Sequence, residues 1–237
     1  MEQSATGRVI AIDGPAGSGK STVSRILACR LGYVYLDTGA MYRAVALAAS
    51  RLGLDPGDGA GLESLCRGLD IVLASEEGRD VVFLGGEDVT SIIRSPEMDM
   101  LSSSISAVRE VRTAMTGLQR RLAEAGKGVV AEGRDMGTVV FPDALHKFFL
   151  TAPVLIRAER RHLERLGRGE EVSFQEVEAE LRRRDRQDET RPVAPLRPAP
   201  DAFVLDTAEI SPEEVVEAIV SRMKSTNTNL GPKNMRG

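Results

Sequence analysis

The hydrophobic pattern of the chain alternates between short apolar runs and longer segments with helical spacing. Five apolar runs have the length of strands that are buried on both faces, at 8–13, 33–37, 127–135, 146–152 and 201–207. Helical spacing follows them at 20–31, 38–53, 97–107, 111–125, 153–166, 173–189 and after the N-cap Ser211. This alternation predicts an α/β fold with a doubly wound parallel sheet and helices on both faces.

The segment 69–90 interrupts this alternation. It has the pattern of two or three short strands separated by turn residues at 77–78 and 85–86, which predicts a small antiparallel sheet. We therefore expect one domain over 8–223, with a core at 8–55 and 108–223 and an insert at about 56–107. The polar tail, 224–237, has no core-forming pattern and is expected to be disordered.

Composition restricts the classes of function. The chain has 237 residues and a net charge of −4, so it has no global attraction to nucleic acid or to anionic lipid. The two cysteines and the two histidines lack the spacing of a zinc site. No stretch approaches the roughly 18 apolar residues of a membrane span, and no apolar run precedes the first strand. These features predict a cytoplasmic protein.

Arginine is strongly preferred over lysine, with 26 Arg and 5 Lys. Genomic base composition is one explanation, and a need for bidentate phosphate donors is another, and both can hold. The segment 157–191 is the richest part, but its ten arginines are balanced by ten acids. A nucleic-acid surface should have a net positive field, so we expect these arginines to bind something small and anionic.

The sequence GPAGSGKS at 14–21 fits the phosphate-loop pattern G-x-x-x-x-G-K-[ST], with a buried strand before it and a helix after it. Backbone N–H groups of such a loop surround phosphate, while Lys20 reaches the β- and γ-phosphates and the Ser21 hydroxyl ligates Mg²⁺. The expected cofactors are ATP and Mg²⁺. The expected nucleotide-binding residues are Gly14, Pro15, Ala16, Gly17, Ser18, Gly19, Lys20, Ser21 and Thr22.

A phosphate loop alone does not define the reaction. No N-K-x-D segment for reading guanine occurs, and the chain is too short for a motor or large ATPase. A kinase of a small metabolite is favoured. A kinase for UMP, shikimate or dephospho-coenzyme A remains open, as does an ATP-binding regulator without turnover.

Three motifs carry a resemblance to a known family. LDTGAMYR at 36–43, GRDMGTVVFPDA at 133–144 and RDRQDETRPVAPL at 184–196 occur in this order after the phosphate loop. Together they resemble the bacterial cytidylate kinases over residues 8–223, and the insert at 69–90 resembles the additional small sheet of that family. The resemblance implies a monomeric P-loop kinase that phosphorylates CMP and dCMP with ATP and Mg²⁺.

The acceptor residues make chemical sense beside this resemblance. A monophosphate carries about two negative charges and must be held in line, which requires positioned arginines. Cytosine offers an amine donor at N4 and an acceptor at N3, so a carboxylate and a cation distinguish it from uracil. The resemblance implies that Asp135 and Arg112 are this pair and that Ser103 adds a base contact.

The remaining roles are likewise implied by the resemblance. Arg184 and Asp188 would hold the sugar, with spacing that places both on one helix face together with Arg191. The expected phosphate contacts are Tyr42, Arg43, Arg134 and Arg191, and Thr38 is a further expected substrate-binding residue.

A short helical lid at about 157–172 is also implied. Its Arg157 and Arg161 would stabilise the transferring phosphoryl group, with a salt-bridged surface helix as the alternative. Lys20, Arg134 and Asp135 complete the expected catalytic set. Glu132, where the family commonly has Asp, could orient Mg²⁺-bound water.

Overall fold

A computed structural model describes residues 8–76, 79–124 and 128–229. Within these ranges the strands are β1 (Val9–Asp13), β2 (Val34–Asp37), β3 (Ile71–Glu76), β4 (Arg79–Leu84), β5 (Glu87–Asp88), β6 (Val129–Gly133), β7 (His146–Thr151) and β8 (Phe203–Asp206). The helices are α1 (Lys20–Leu31), α2 (Thr38–Arg51), α3 (Gly59–Arg67), α4 (Pro96–Ile105), α5 (Arg109–Glu124), α6 (Val154–Gly167), α7 (Phe174–Thr190) and α8 (Pro212–Asn229).

The central sheet is parallel and has the strand order β2-β6-β1-β7-β8. All five residues of β1 are buried, because helices cover both faces of the sheet. Val9 and Ala11 face a core formed with α2, whereas Ile10 and Ile12 face a core formed with α1 and α8. The predicted doubly wound fold is confirmed.

The predicted antiparallel insert is present as the sheet β3-β4-β5. It is not a separate unit, because Ile71, Val82 and Val89 belong to the same buried core as α2. The helix α3 was not predicted. Its N-cap Asp58 accepts a hydrogen bond from the N–H of Gly61, and the glycines around that cap had indicated only a turn.

The C-terminal end departs from the prediction. Ser211 and Glu214 form the expected cap, with the N–H of Glu214 donating to Ser211 Oγ at 3.2 Å. The helix α8 then continues to Asn229, so the expectation of a disordered tail from 224 is wrong for 224–229. Residues 230–237 lie outside the described part of the chain. No helix in the described ranges is long and apolar enough to cross a membrane.

Candidate active site

The loop between β1 and α1 is a tight backbone turn against the sheet. Gly14 has φ 150°, and a Cβ there would lie 2.0 Å from the carbonyl oxygen of Leu150 on β7. Gly19 has φ 83° and is the N-cap of α1, without a side-chain cap. Since the first N–H groups of a helix have no partner within the helix, this N-terminus provides donors for an anion.

Lys20 is buried at the base of this loop. Its Nζ donates to the carbonyl oxygen of Pro15 at 2.7 Å and lies 3.4 Å from Ser18 Oγ. Burial, together with the nearby Arg134, lowers the pKa of Lys20 below its ordinary value. An anionic phosphate would favour the charged form again, because an opposite charge at close range raises the pKa of an amine.

Side chains from other elements fix the carbonyl groups of the loop. Arg157 donates to the carbonyl of Ala16 at 3.0 Å, and Thr207 Oγ1 donates to that of Ser18 at 3.1 Å. At Gly17, a Cβ would lie 3.0 Å from Arg157. Residues 14–19 therefore form one turn whose carbonyl groups are held by distant side chains, and Lys20, Ser21 and the exposed Thr22 begin α1.

The position of Arg157 differs from that of a free lid side chain. It is buried at the start of α6, where it also donates to the carbonyl of Ala152 and forms two bonds to Asp185, at 3.1 and 2.7 Å. These partners tie α6 and α7 to the phosphate loop. The geometry favours an anchoring role, and the catalytic role of Arg157 stays a prediction.

Ser21 and Glu132 place side-chain oxygens beside the loop. Ser21 Oγ donates to Glu132 Oε2 at 3.0 Å, and the Tyr35 hydroxyl donates to Oε1. Asp37 pairs with Glu132 across β2 and β6, and burial together with this neighbouring carboxylate raises the pKa of Glu132. Oxygen ligands suit Mg²⁺, which usually keeps waters and substrate oxygens in its shell. Among the described residues, no group of three or more His, Cys, Asp or Glu could hold a metal alone.

The predicted base-reading pair lies together in the interior. Arg112 and Asp135 form an ion pair with side chains only 4% and 3% exposed. Arg112 also donates to the carbonyl of Ser106 at 2.9 Å and stacks 5.5 Å from the ring of Tyr42. The hydroxyl of Ser103 is buried and has no hydrogen-bond partner among the described residues. Of the three predicted base contacts, two are thus paired with each other and the third has an unsatisfied hydroxyl.

A second ion pair joins β6 to α7. Arg134 Nε donates to Asp188 Oδ2 at 2.8 Å, and Arg191 Nη1 lies 3.8 Å from Asp188 Oδ1. Burial opposes ionisation of Asp188, but Arg134 and Arg184 outweigh it and hold its pKa below the ordinary value. The predicted common face of Arg184, Asp188 and Arg191 is therefore turned into the site.

A third cluster was not predicted from the sequence. Asp99 on α4 accepts hydrogen bonds from Arg43 and Arg161, and Arg184 lies 3.8 Å from it. Thr38, the remaining predicted acceptor residue, donates to the carbonyl of Glu132 at 2.7 Å. Arginines expected on the acceptor phosphate, the transferring phosphoryl group and the sugar therefore share one carboxylate in this structure.

Asp13 is a further residue that sequence reasoning missed. Its two carboxylate oxygens accept from the N–H groups of Met136 and Gly137, each at 2.8 Å. These bonds hold the start of a π-helical turn, Met136–Val140, directly after Arg134 and Asp135. Burial raises the pKa of Asp13 to about 6. An acidic residue just before a phosphate loop was the available signal, but its partners are 123 and 124 residues away.

The fold and the loop define a P-loop nucleotide-binding protein, and the arginines near Lys20, Arg134 and Arg184, are suited to an anionic acceptor. A family model described as Cytidylate kinase matches residues 10–225. The chain belongs to the cytidylate kinase family.

Individual relatives agree with this match over nearly full lengths. A protein named cytidylate kinase from Geobacter sulfurreducens is 51% identical over 91% of this chain and 92% of its own length. One of the same name from Citrifermentans bemidjiense is 49% identical over 92% of this chain and 93% of its own. One from Mycobacterium leprae is 48% identical over 91% of this chain and 95% of its own.

Proposed function

We propose that this protein transfers the γ-phosphoryl group of ATP to the phosphate of CMP and dCMP, forming CDP and dCDP. The buried pair of Arg112 and Asp135 carries the proposal. A cytosine edge presents an acceptor and a donor, which match this cation and this carboxylate. Uracil reverses both groups and would leave buried charges poorly paired, so such a pair discriminates strongly.

The reaction needs positioning more than proton transfer. An acceptor phosphate oxygen attacks the γ-phosphorus, the bond from that phosphorus to the bridging oxygen breaks, and ADP leaves with the electron pair. The nucleophile is already anionic, so no side chain has to act as a strong base. Lys20 and the N–H groups at the start of α1 would hold the donor phosphates, and Arg43 and Arg134 would hold the acceptor.

Mg²⁺ would be held through Ser21, with Glu132 beside it. When bound, the ion would neutralise charge on the donor phosphates. The glutamate at 132 is already within hydrogen-bond distance of the serine, so its extra methylene does not carry it away from this position. The role of orienting Mg²⁺-bound water, predicted for Glu132, is part of this proposal.

The test is a coupled assay of ADP formation with ATP, Mg²⁺ and one acceptor at a time. CMP and dCMP should be turned over, whereas UMP, AMP and shikimate should react much more slowly. Faster turnover of UMP or shikimate would contradict the proposed substrate. Tight ATP binding without turnover of any acceptor, dephospho-coenzyme A included, would instead support the regulator.

A further inference from the structure

Asp99 is the acidic residue on which three arginines of the acceptor side converge. It lies in the first turn of α4, within the insert, and its side chain is 16% exposed. Arg43 comes from α2, Arg161 from α6 and Arg184 from α7. One carboxylate thus links four elements that are distant in the sequence.

The contacts use both carboxylate oxygens. Oδ1 accepts from Arg43 Nε at 2.8 Å and lies 3.8 Å from Arg184 Nη1, while Oδ2 accepts from Arg161 Nη2. Burial alone would disfavour ionisation, but Arg43, Arg184 and Arg161 outweigh it and hold the pKa of Asp99 below its ordinary value. The carboxylate is therefore charged at neutral pH.

The arginines retain capacity for a larger anion. Arg184 Nε is buried without a hydrogen-bond partner among the described residues. Burial and the neighbouring Arg134 lower the pKa of Arg184 to about 10, which shows that positive charge is crowded here. A phosphate offers one more oxygen and about one more negative charge than a carboxylate, so it satisfies such a cluster better.

We propose that Asp99 is an internal competitor for the acceptor phosphate. Asp99 holds Arg43, Arg161 and Arg184 until an acceptor binds, and the phosphate of the incoming nucleotide displaces it from Arg43, the one of the three expected to contact that phosphate. Because its side chain reaches solvent at one edge, a change of its own side-chain torsions can release the arginines without unwinding α4. Asp99 thereby weakens binding of the acceptor. This inference rests on the proposed function.

Removing the competing charge should tighten binding of the acceptor. We expect Asp99→Asn and Asp99→Ala to lower KM for CMP about fivefold at saturating ATP, because the phosphate of CMP no longer has to displace a carboxylate from the arginines. Inorganic phosphate should inhibit competitively against CMP with a Ki lowered by a similar factor. Cytidine, which lacks the phosphate, should keep its Ki.

The matched control is Glu97→Gln. Glu97 is the other acid in the first turn of α4, and it is exposed. This variant changes the net charge and the helix terminus in the same way as Asp99→Asn, so KM for CMP should stay near the wild-type value. Asp99→Glu keeps the charge and should retain a KM closer to wild type than Asp99→Asn.

A rise in KM for CMP, or no change, in both neutral variants would overturn the proposal, since Asp99 would then hold the arginines for the substrate or not affect them. An equal decrease in the Ki of cytidine would also overturn the proposal, because the effect of Asp99 would then not depend on the phosphate. A wild-type protein without CMP turnover would instead contradict the proposed function. The competitor would then still be tested by thermal unfolding, in which phosphate should raise Tm more in Asp99→Asn than in wild type.

Discussion

The two halves of the cleft are held in place by different kinds of interaction. On the donor side, residues 14–22 are contiguous, and glycine backbone angles, a helix N-terminus and carbonyl groups fix their shape. On the acceptor side, side chains from α2, α4, α5, α7 and the end of β6 meet in ion pairs. The donor side is shaped mainly by its own backbone, with Arg157 and Thr207 bonding its carbonyl groups, whereas the acceptor side depends on a balance of charges that a ligand can change.

The donor side should be the more sensitive to a single change. Lys20→Ala should lower kcat by about 10²- to 10³-fold, because the lysine charge acts where negative charge gathers in the transition state. Steady-state kinetics with ATP and CMP would measure it, with unfolding curves to establish that the variant is folded. Lys224→Ala, an exposed lysine on α8, is the control. More than about a tenth of wild-type kcat would contradict the assigned role of Lys20.

The acceptor side should lose specificity rather than turnover alone. Asp135→Ala should lower kcat/KM for CMP by about 10²-fold, because it removes a charged hydrogen-bond acceptor from a buried site. UMP should lose much less, so the ratio of the two substrates should collapse. That ratio is insensitive to the folded fraction, which matters because the change also leaves Arg112 unpaired in the interior.

Arg134→Ala is the matched comparison for Asp135→Ala. A residue that holds phosphate should affect CMP and UMP by equal factors, and the preference should survive. Equal losses in Asp135→Ala would show that Asp135 does not read the base. Specificity would then have to come from Ser103 and Arg112.

Arg157, which connects the phosphate loop to Asp185 on α7, should affect the stability of the fold. Arg157→Ala should reduce the free energy of unfolding by about 2–3 kcal/mol, because it leaves the Asp185 carboxylate without its partner. The loss is smaller than for a fully buried pair, because the Asp185 side chain is 14% exposed. Urea denaturation would measure it. Arg182→Ala, in an exposed pair with Glu178 on α7, should change stability by less than about 0.5 kcal/mol. Loss of kcat at unchanged stability in Arg157→Ala would favour the lid role instead.

Arg161 should have the smallest effect. It is 25% exposed and contacts Asp99 and Glu164. Arg161→Ala should lower kcat about tenfold and change KM for CMP less, because lid contacts tighten mainly in the closed, reacting state. Stability should be nearly unchanged. If neither kcat nor KM changed, Arg161 would be an ordinary residue of a salt-bridged surface helix, which is the alternative given by the sequence.

The donor side could be predicted from the sequence more completely than the acceptor side. The strand β1, the loop and α1 are encoded by neighbouring residues, so their order and bounds were evident. The choice of Arg112 and Asp135 as base-reading residues was reached through the family resemblance, and the structure places the two side chains together. Their roles toward substrate stay predictions.

The features that were missed depend on distant partners. Asp99 looks like an ordinary acid in the first turn of a helix, and only the packing of α4 beside α2, α6 and α7 brings it to three arginines. Arg157 resembles any arginine of an amphipathic helix, since nothing local indicates Ala16 or Asp185 as its partners. The π-helical turn is likewise held by Asp13 from another strand.

The strand order has a consequence for how the chain is made. β1 pairs with β6 and β7, while β2, the next strand along the chain, pairs with β6 and with no other strand among the described residues. Strand β1 therefore leaves the ribosome with no partner until residues 129–151 emerge, which takes on the order of ten seconds at typical synthesis rates. During that interval its four apolar residues, Val9–Ile12, lie on an unpaired strand of the kind that aggregates.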